Sequence, residues 1–246
     1  MVAAAFDSLA LRYDELWTHS LIGRLQRQAV WRRLDRLFRP GDHLLDLGCG
    51  TGEDAVHFMQ NRIRVQAIDA SNEMVRIACS RGVDATRLEI EDLDQLEGSF
   101  DAVLSNFGAL NCIKRLDLIR GPLARLARSG GHLAICLMGA FCFWETAWYL
   151  SRVQPRKAFR RWRHCGVPSS LGIPVYYPSV RELQRALLPD FVLVDWSGVG
   201  ISIPPSYVSG LSDPFLSRLA ALESLIAHRA GWRAIADHRL LIFSRK

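Results

Sequence analysis

Residues 46–52 read DLGCGTG, and no other segment of the chain has residue types so well suited to holding a ligand. Gly48, Gly50 and Gly52 let a backbone turn sharply and come close to a bound molecule where any Cβ would collide. The segment that follows, EDAVHFMQ, reads as a helix whose free N–H groups favour a polar or anionic ligand. The spacing is G-x-G-x-G, and Glu53 stands where a dinucleotide fingerprint has its third glycine. Nicotinamide and flavin dinucleotides are therefore disfavoured. Asp69 closes the strand-like IRVQAID about twenty residues further on, where an acid is placed to accept both hydroxyls of a ribose. A ribose with no pyrophosphate requirement points to an adenosyl ligand.

These residues need elements to hold them. HLLDLG reads as a buried strand entering a tight turn, and SNEMVRIACSRG as a helix starting at Ser71 and stopping at Gly82. ATRLEIE, FDAVLSNF and GHLAICLM supply further strands, and FVLVDW and RLLIFSR two late ones. Strand alternating with helix predicts a parallel α/β sheet. Before it, residues 4–38 carry a helical apolar period, ended by Pro40-Gly41. After Phe141 the pattern changes to an aromatic helix, FCFWETAWYLSR, broken or restarted at Pro155. A Gly/Pro/Ser-rich loop or hairpin over 164–180 comes next.

In this order the words FDSLALRYD, LLDLGCGTGEDAVHF, VQAIDASNEMV, EDLDQL, SFDAVLSNFGALNC and SGGHLAI resemble the class I S-adenosylmethionine-dependent methyltransferases. The resemblance is to the small-molecule branch that includes the ubiquinone and menaquinone biosynthesis type. It covers roughly residues 6–137 and is looser beyond. It implies a Rossmann-like, doubly wound, seven-stranded, mostly parallel sheet whose last strand is antiparallel, with helices on both faces. It also implies S-adenosyl-L-methionine as cofactor, S-adenosyl-L-homocysteine as product, and an N-terminal helical lid.

Residue by residue, the resemblance has Asp46 steadying the glycine loop and orienting the methionine amine, with Gly48, Gly50 and Gly52 lining the methionine moiety. Asp69 would hold the ribose, with Ala70 and Met74 flanking the adenine. Asp92 would meet the adenine amino group beside the Leu93 backbone N–H, in a register that Glu91 leaves open by one. Asn106 and Phe107 would face the methionine end and the acceptor, and Tyr13 would belong to the lid. Plainer roles compete: a turn-capping Asp46, a strand-end Asp69, a core Met74, a packing Tyr13, and an Asp92 that is one solvated acid among five between Glu89 and Glu97.

The expected organisation is a single domain over 1–246. Lid helices fill 1–39, the cofactor core 40–140, an acceptor-side insertion 141–180, and a C-terminal helix and strands 181–246. Acceptor choice is expected in the insertion, where Trp144, Trp148, Arg156, Tyr176 and Tyr177 offer apolar walls and an anion contact. Methyl transfer from a sulfonium needs alignment more than a strong base. His19 and His164 are the histidines nearest the expected lid and acceptor, and no catalytic base is assigned. The expected acceptor is a small apolar or aromatic molecule, methylated on oxygen first, then nitrogen or carbon.

Charge raises two alternatives. Residues 1–140 hold 17 Lys/Arg against 18 Asp/Glu, whereas 141–246 hold 14 against 7. Arg152, Arg156, Lys157, Arg160, Arg161 and Arg163 fall within twelve positions. With Phe159 and Trp162 among them they could follow an RNA backbone or meet a membrane surface as a peripheral contact. The word SNFG lacks the N-P-P-Y pattern similar to base-amino methylases, so nucleic acid is disfavoured. A non-catalytic scaffold of the same fold is the other alternative, opposed by the intact glycines and Asp69. Six scattered cysteines with no C-x-x-C, and no clustered ligands, predict neither zinc nor any other metal. The stretch His132–Leu150 is apolar, but Gly139 interrupts it and Glu145 sits within it, so strand plus helix is expected rather than a span. The N-terminus lacks a signal-peptide pattern, and a cytoplasmic location is expected.

Overall fold

The computed structural model describes residues 2–163, 165–208 and 212–246, with side chains from Ala5 onward. Its strands are β1 (His43–Leu47), β2 (Arg64–Asp69), β3 (Asp84–Arg87), β4 (Phe100–Ser105), β5 (Ala127–Met138), β6 (Val167–Pro168), β7 (Pro174–Val175), β8 (Phe191–Val199) and β9 (His238–Arg245). Seven of these form one sheet in the order β3-β2-β1-β4-β5-β9-β8, and β6 and β7 pair as a small hairpin. β9 runs antiparallel to both neighbours and the other six strands run parallel, so the expected sheet is present. The chain leaves β1 towards β2 on one side and later returns through β4 on the other. A crevice opens between those connections at the strand ends.

Alternation in the strands fills both faces. Leu44, Ala67 and Leu104 point to one core, with Val30 and Leu34 of α2 (Leu21–Leu34) and Phe58 of α3 (Glu53–Gln60). Leu45, Leu47 and Val103 point to the other, with Leu123 of α5 (Arg120–Leu126) and Leu183 of α8 (Val180–Leu187). Between these, α4 (Asn72–Ser80) begins at Ser71, whose hydroxyl caps Met74 N at 3.1 Å. It ends near Gly82, at φ +82°. Ahead of the sheet lie α1 (Val2–Tyr13), a π-helical turn at Asp14–Thr18, and α2. After β5 come α6 (Phe143–Ser151) and α7 (Pro155–Ala158), the latter restarted by its first-turn proline as expected.

Two parts depart from expectation. The strand in ATRLEIE stops at Arg87, and Ile90–Gln95 is a 3₁₀ turn. Ile90, Leu93 and Leu96 are buried at a spacing of three, the period of that helix rather than of a strand. Between β8 and β9 the chain also inserts α9 (Asp213–Ile226) and α10 (Ala230–Arg233). Leu216 of α9 packs with Ile203 and with Ile22 of α2, so this segment braces the N-terminal helices.

Candidate active site

A cavity of about 290 Å³ opens at the crevice. Its floor is Gly48 and Gly50 after β1, Asp69, Ala70 and Met74 after β2, and Asn106 to Ala109 after β4. Phe6 and Tyr13 of α1 close one side, and Glu89, Ile90 and Glu91 another. Cys112, Ile113, Met138 and the β6–β7 hairpin, through Ser169, Ser170, Leu171, Ile173 and Val175, form the far wall.

The glycine loop is positioned by the strand beside it, since Gly48 N and Cys49 N both donate to Ile68 O. Gly48 has φ +71°, and a Cβ there would lie 2.3 Å from the Ala109 Cβ, so only glycine lets the two loops close. Gly50, at φ +55°, would direct a Cβ into open space, leaving its backbone bare towards the cavity. Gly52 serves packing instead. A Cβ there would meet Ala78 and Val83 at 3.0 and 3.1 Å, so it seats α3 against α4 and does not line the cavity.

Asp69 is built into this loop. Its carboxylate accepts from Gly50 N and Ser71 N, each at 2.9 Å, and still borders the cavity. Burial raises its pKa, opposed by the two N–H donors. Each oxygen keeps a lone-pair direction for a ligand hydroxyl. Asp46 lies beneath the loop, 2 % exposed, with Oδ2 buried and without a partner. Burial first, then the nearby Asp54 and Asp69 carboxylates, hold its pKa well above the usual range. A buried acid lacking a donor, beneath a loop bare of side chains, suits a ligand that brings an ammonium group and a ribose. S-adenosylmethionine has both.

Next to Asp46 is a network that spacing alone did not reveal. Asp54 of α3 accepts from Arg27 of α2, from Trp31 Nε1 at 2.7 Å and from Asn106 Nδ2 at 3.0 Å. Asn106 also accepts from Phe107 N through Oδ1 at 3.1 Å. Its amide is therefore committed to holding the β4 loop. Arg27 lies 5.0 Å over the Phe107 ring, which meets His238 and Trp17 edge-on at 5.3 and 6.1 Å. Phe107 itself has φ +50°, an uncommon conformation for a residue with a Cβ. The network fixes a strained aromatic against the cavity.

The N-terminal helices, the expected lid, are tied by carboxylates. Asp7 Oδ1 accepts from Ser71 Oγ at 2.6 Å and Glu73 N at 3.1 Å, so α1 caps the start of α4. Those bonds lower the Asp7 pKa, the Ser71 hydroxyl contributing most. Asp14 accepts from Thr51 Oγ1 at 2.7 Å and pairs with Arg81. Burial works against the charge of Asp14, and these partners outweigh it to leave the pKa lowered. Between them Tyr13 reaches the cavity, its hydroxyl pKa raised by burial.

Several expected site residues lie elsewhere. Asp92 is exposed and Leu93 is fully buried in the sheet core, because the 3₁₀ turn brings Ile90 and Glu91 to the cavity instead. Of Glu91 and Asp92, only Glu91 borders the cavity, together with Glu89. Trp144 donates to Ile201 O at 3.0 Å, Trp148 lies under Arg152, and Arg156 is exposed, all away from the cavity. Tyr176 and Tyr177 border a separate depression of about 220 Å³ with Lys114 and Arg163. Tyr176 N donates to Asn111 O at 2.7 Å, and the preceding Val175 borders the cavity in their place. His19 is exposed at the end of the π-helical turn, and His164 lies outside the described residues. Cys112 lines the cavity with its thiol pushed up to about 11 by burial, so it stays protonated near neutral pH. Among the described residues no group of three or more His, Cys, Asp or Glu is placed to hold a metal ion.

The family described as "Methyltransferase domain" matches residues 44–131, from β1 into β5. The chain is 36% identical over 143 residues to the demethylmenaquinone methyltransferase of Mycolicibacterium gilvum, covering 55% of this chain and 59% of that enzyme. With the demethylmenaquinone methyltransferase of Mycolicibacterium paratuberculosis it shares 32% identity over 213 residues, covering 80% and 86%. Its fold is that of the magnesium protoporphyrin IX methyltransferase of Synechocystis PCC 6803, solved with bound S-adenosylhomocysteine, at TM-score 0.65 and 15% identity, covering 100% of this chain and 98% of that one. The protein belongs to the class I S-adenosylmethionine-dependent methyltransferases, in the family that holds these demethylmenaquinone methyltransferases.

Proposed function

We propose that the protein transfers a methyl group from S-adenosylmethionine to a small apolar, ring-bearing acceptor of the quinol or phenol class. The observation that carries this reading is the far wall of the cavity. Ile113, Met138, Leu171, Ile173 and Val175 form an apolar chamber continuous with the glycine loop. The relatives named demethylmenaquinone methyltransferases agree with it.

The bound cofactor supplies a methyl already activated on a sulfonium. Asp69 would accept the ribose hydroxyls, Asp46 would face the methionine amine, Ala70 and Met74 would flank the adenine, and Glu91 would meet its amino group. Phe107, held by Arg27 and Asp54, aligns the reacting ends, and α1 with Tyr13 excludes water. The acceptor side of the cavity presents no carboxylate or histidine among the described residues. A nucleophile that ionises readily or is electron-rich suits such a wall, and oxygen remains the leading atom ahead of nitrogen and carbon. Arg160 and Arg161 turn inward to Glu145, which weakens the RNA alternative. All six cysteines are free, which supports a cytoplasmic setting, and among the described residues no helix is long and apolar enough to cross a membrane.

The test is incubation with methyl-labelled S-adenosylmethionine and either short-chain naphthoquinols and phenols or total RNA. Label in the organic phase is expected, with Ile173→Asp raising KM at least tenfold while the affinity for S-adenosylhomocysteine holds. Label confined to RNA would overturn the reading.

A further inference from the structure

The aromatic-basic block at 141–163 is left unused by the cavity, and its placement is unusual for a surface. On α6, Phe143, Ala147 and Leu150 recur at i, i+4 and i+7, and this stripe faces solvent. Phe143 is 50% exposed, Leu150 46%, Val153 87% and Trp162 57%. The opposite face of the helix carries Glu145, 1% exposed and paired with Arg160 and Arg161. A helix of a water-facing protein has the reverse arrangement, charge outside and apolar residues inside.

Two further observations give this face a partner. Val153, just past α6, holds φ +57°, a strained state for a β-branched residue, and its isopropyl group stands in solvent. Charge within this segment is almost all positive: Glu145 is the only acid between Phe141 and Val180, and the exposed Arg152, Arg156 and Lys157 have no acidic neighbour within it, whereas Arg163 borders a depression that also holds Asp117 and Glu182. Arg152 instead lies over the Trp148 ring, its cation held at the surface.

We propose that α6, α7 and the turn to Trp162 form a docking surface for an anionic phospholipid bilayer, lying in the headgroup plane without crossing it. Exposed apolar side chains would enter the acyl boundary while Arg152, Arg156 and Lys157 meet lipid phosphates, the pattern of an interfacial helix. A protein partner would need its own acidic, apolar surface; a bilayer offers both components everywhere. The block leads directly into the β6–β7 hairpin that walls the cavity, so docking would bring an apolar acceptor dissolved in lipid next to the chamber. Vesicle binding is read without turnover, so this inference stands or falls separately from the choice of acceptor.

The experiment is co-sedimentation of the full chain with phosphatidylcholine vesicles, with and without about one third phosphatidylglycerol. Binding is expected only with the anionic lipid, weakening as salt is raised and the Debye length falls below about 10 Å. Leu150→Glu with Val153→Glu should lower the partition at least tenfold, and Arg156→Glu with Lys157→Glu likewise. Titration with S-adenosylhomocysteine should give the parent affinity in both variants, showing that they fold. Equal or absent binding to the two vesicle types, or unchanged binding by both variants, overturns the proposal. So does a salt-sensitive RNA complex, or a dimer dissolved by the same substitutions, in a protein that ignores vesicles.

Discussion

At the scale of single residues, the site is held by carboxylates in opposite conditions. Asp69 has two backbone donors, whereas Asp46 has an oxygen buried without one. An uncompensated buried charge is a cost to the free protein, and a ligand that brings a cation removes it. The linkage is direct: burial raises the Asp46 pKa, so the folded free protein binds more protons than the unfolded chain above the usual carboxylate range. That raised-pKa contribution favours the free fold at low pH and is lost as pH rises through the folded value. Asp46→Asn should therefore stabilise the free protein at pH 7, by about 1 kcal/mol or more, and weaken S-adenosylhomocysteine binding roughly tenfold, by the lost charge-assisted contact. Thermal unfolding with and without ligand reads both, and a variant that loses stability without losing affinity would contradict the role given to Asp46. That Gly48, Gly50 and Asp69 border one cavity, with Asp46 beneath them, could be anticipated from the sequence because a turn and a strand end are local, whereas the packing role of Gly52 could not. Nor could the place of Asp54, because Arg27, Trp31 and Asn106 reach it only after α2, α3 and β4 pack together.

At the scale of elements, the lid depends on one residue of α1 meeting the start of α4. Asp7 takes a hydroxyl and an N–H at a helix N-terminus, where a negative charge is favoured. Its pKa is lowered, so the docking it supports is complete above the ordinary carboxylate range of about 4, and is lost as pH falls through the folded value. Asp7→Asn at neutral pH should mimic that loss. Amide exchange across residues 5–16, corrected for intrinsic rates, should quicken several-fold in the variant and leave β1 and β4 unchanged. Exchange identical to the parent would remove Asp7 from the latch. Helical residues over 4–38 were readable from their apolar period, but the partner of Asp7 was not. The acceptor wall shows the same limit: composition drew attention to the bulky aromatics of 141–180, yet the inward residues are Leu171, Ile173 and Val175. Leu171, Ile173 and Val175 recur at every second position and so share one face, but that this face meets the cavity depends on contacts distant in sequence, such as the Tyr176–Asn111 backbone bond.

At the scale of the whole molecule, the sheet order places the glycine loop, Asp69 and the β4 loop at one crevice, and the N-terminal helices, α9 and the β6–β7 hairpin serve its rim. α1 and α2 cover it, α9 braces α2 through Leu216, and β6–β7 closes the acceptor side. The sheet was readable in advance, since strand and helix alternate with clear caps and turns. The long segment between β8 and β9 was not, because its role lies in packing against helices some two hundred residues earlier. The central claim is that this crevice binds the adenosyl cofactor through Asp69. The most direct measurement is calorimetric titration with S-adenosylhomocysteine of the parent and of Asp69→Ala, each checked for fold by circular dichroism. A single micromolar site in the parent is predicted, weakened at least tenfold in the variant, as loss of hydrogen bonds to a charged group of about 1.5–3 kcal/mol requires. A folded parent that binds no S-adenosylhomocysteine, or a folded variant that binds it as tightly, would contradict the account.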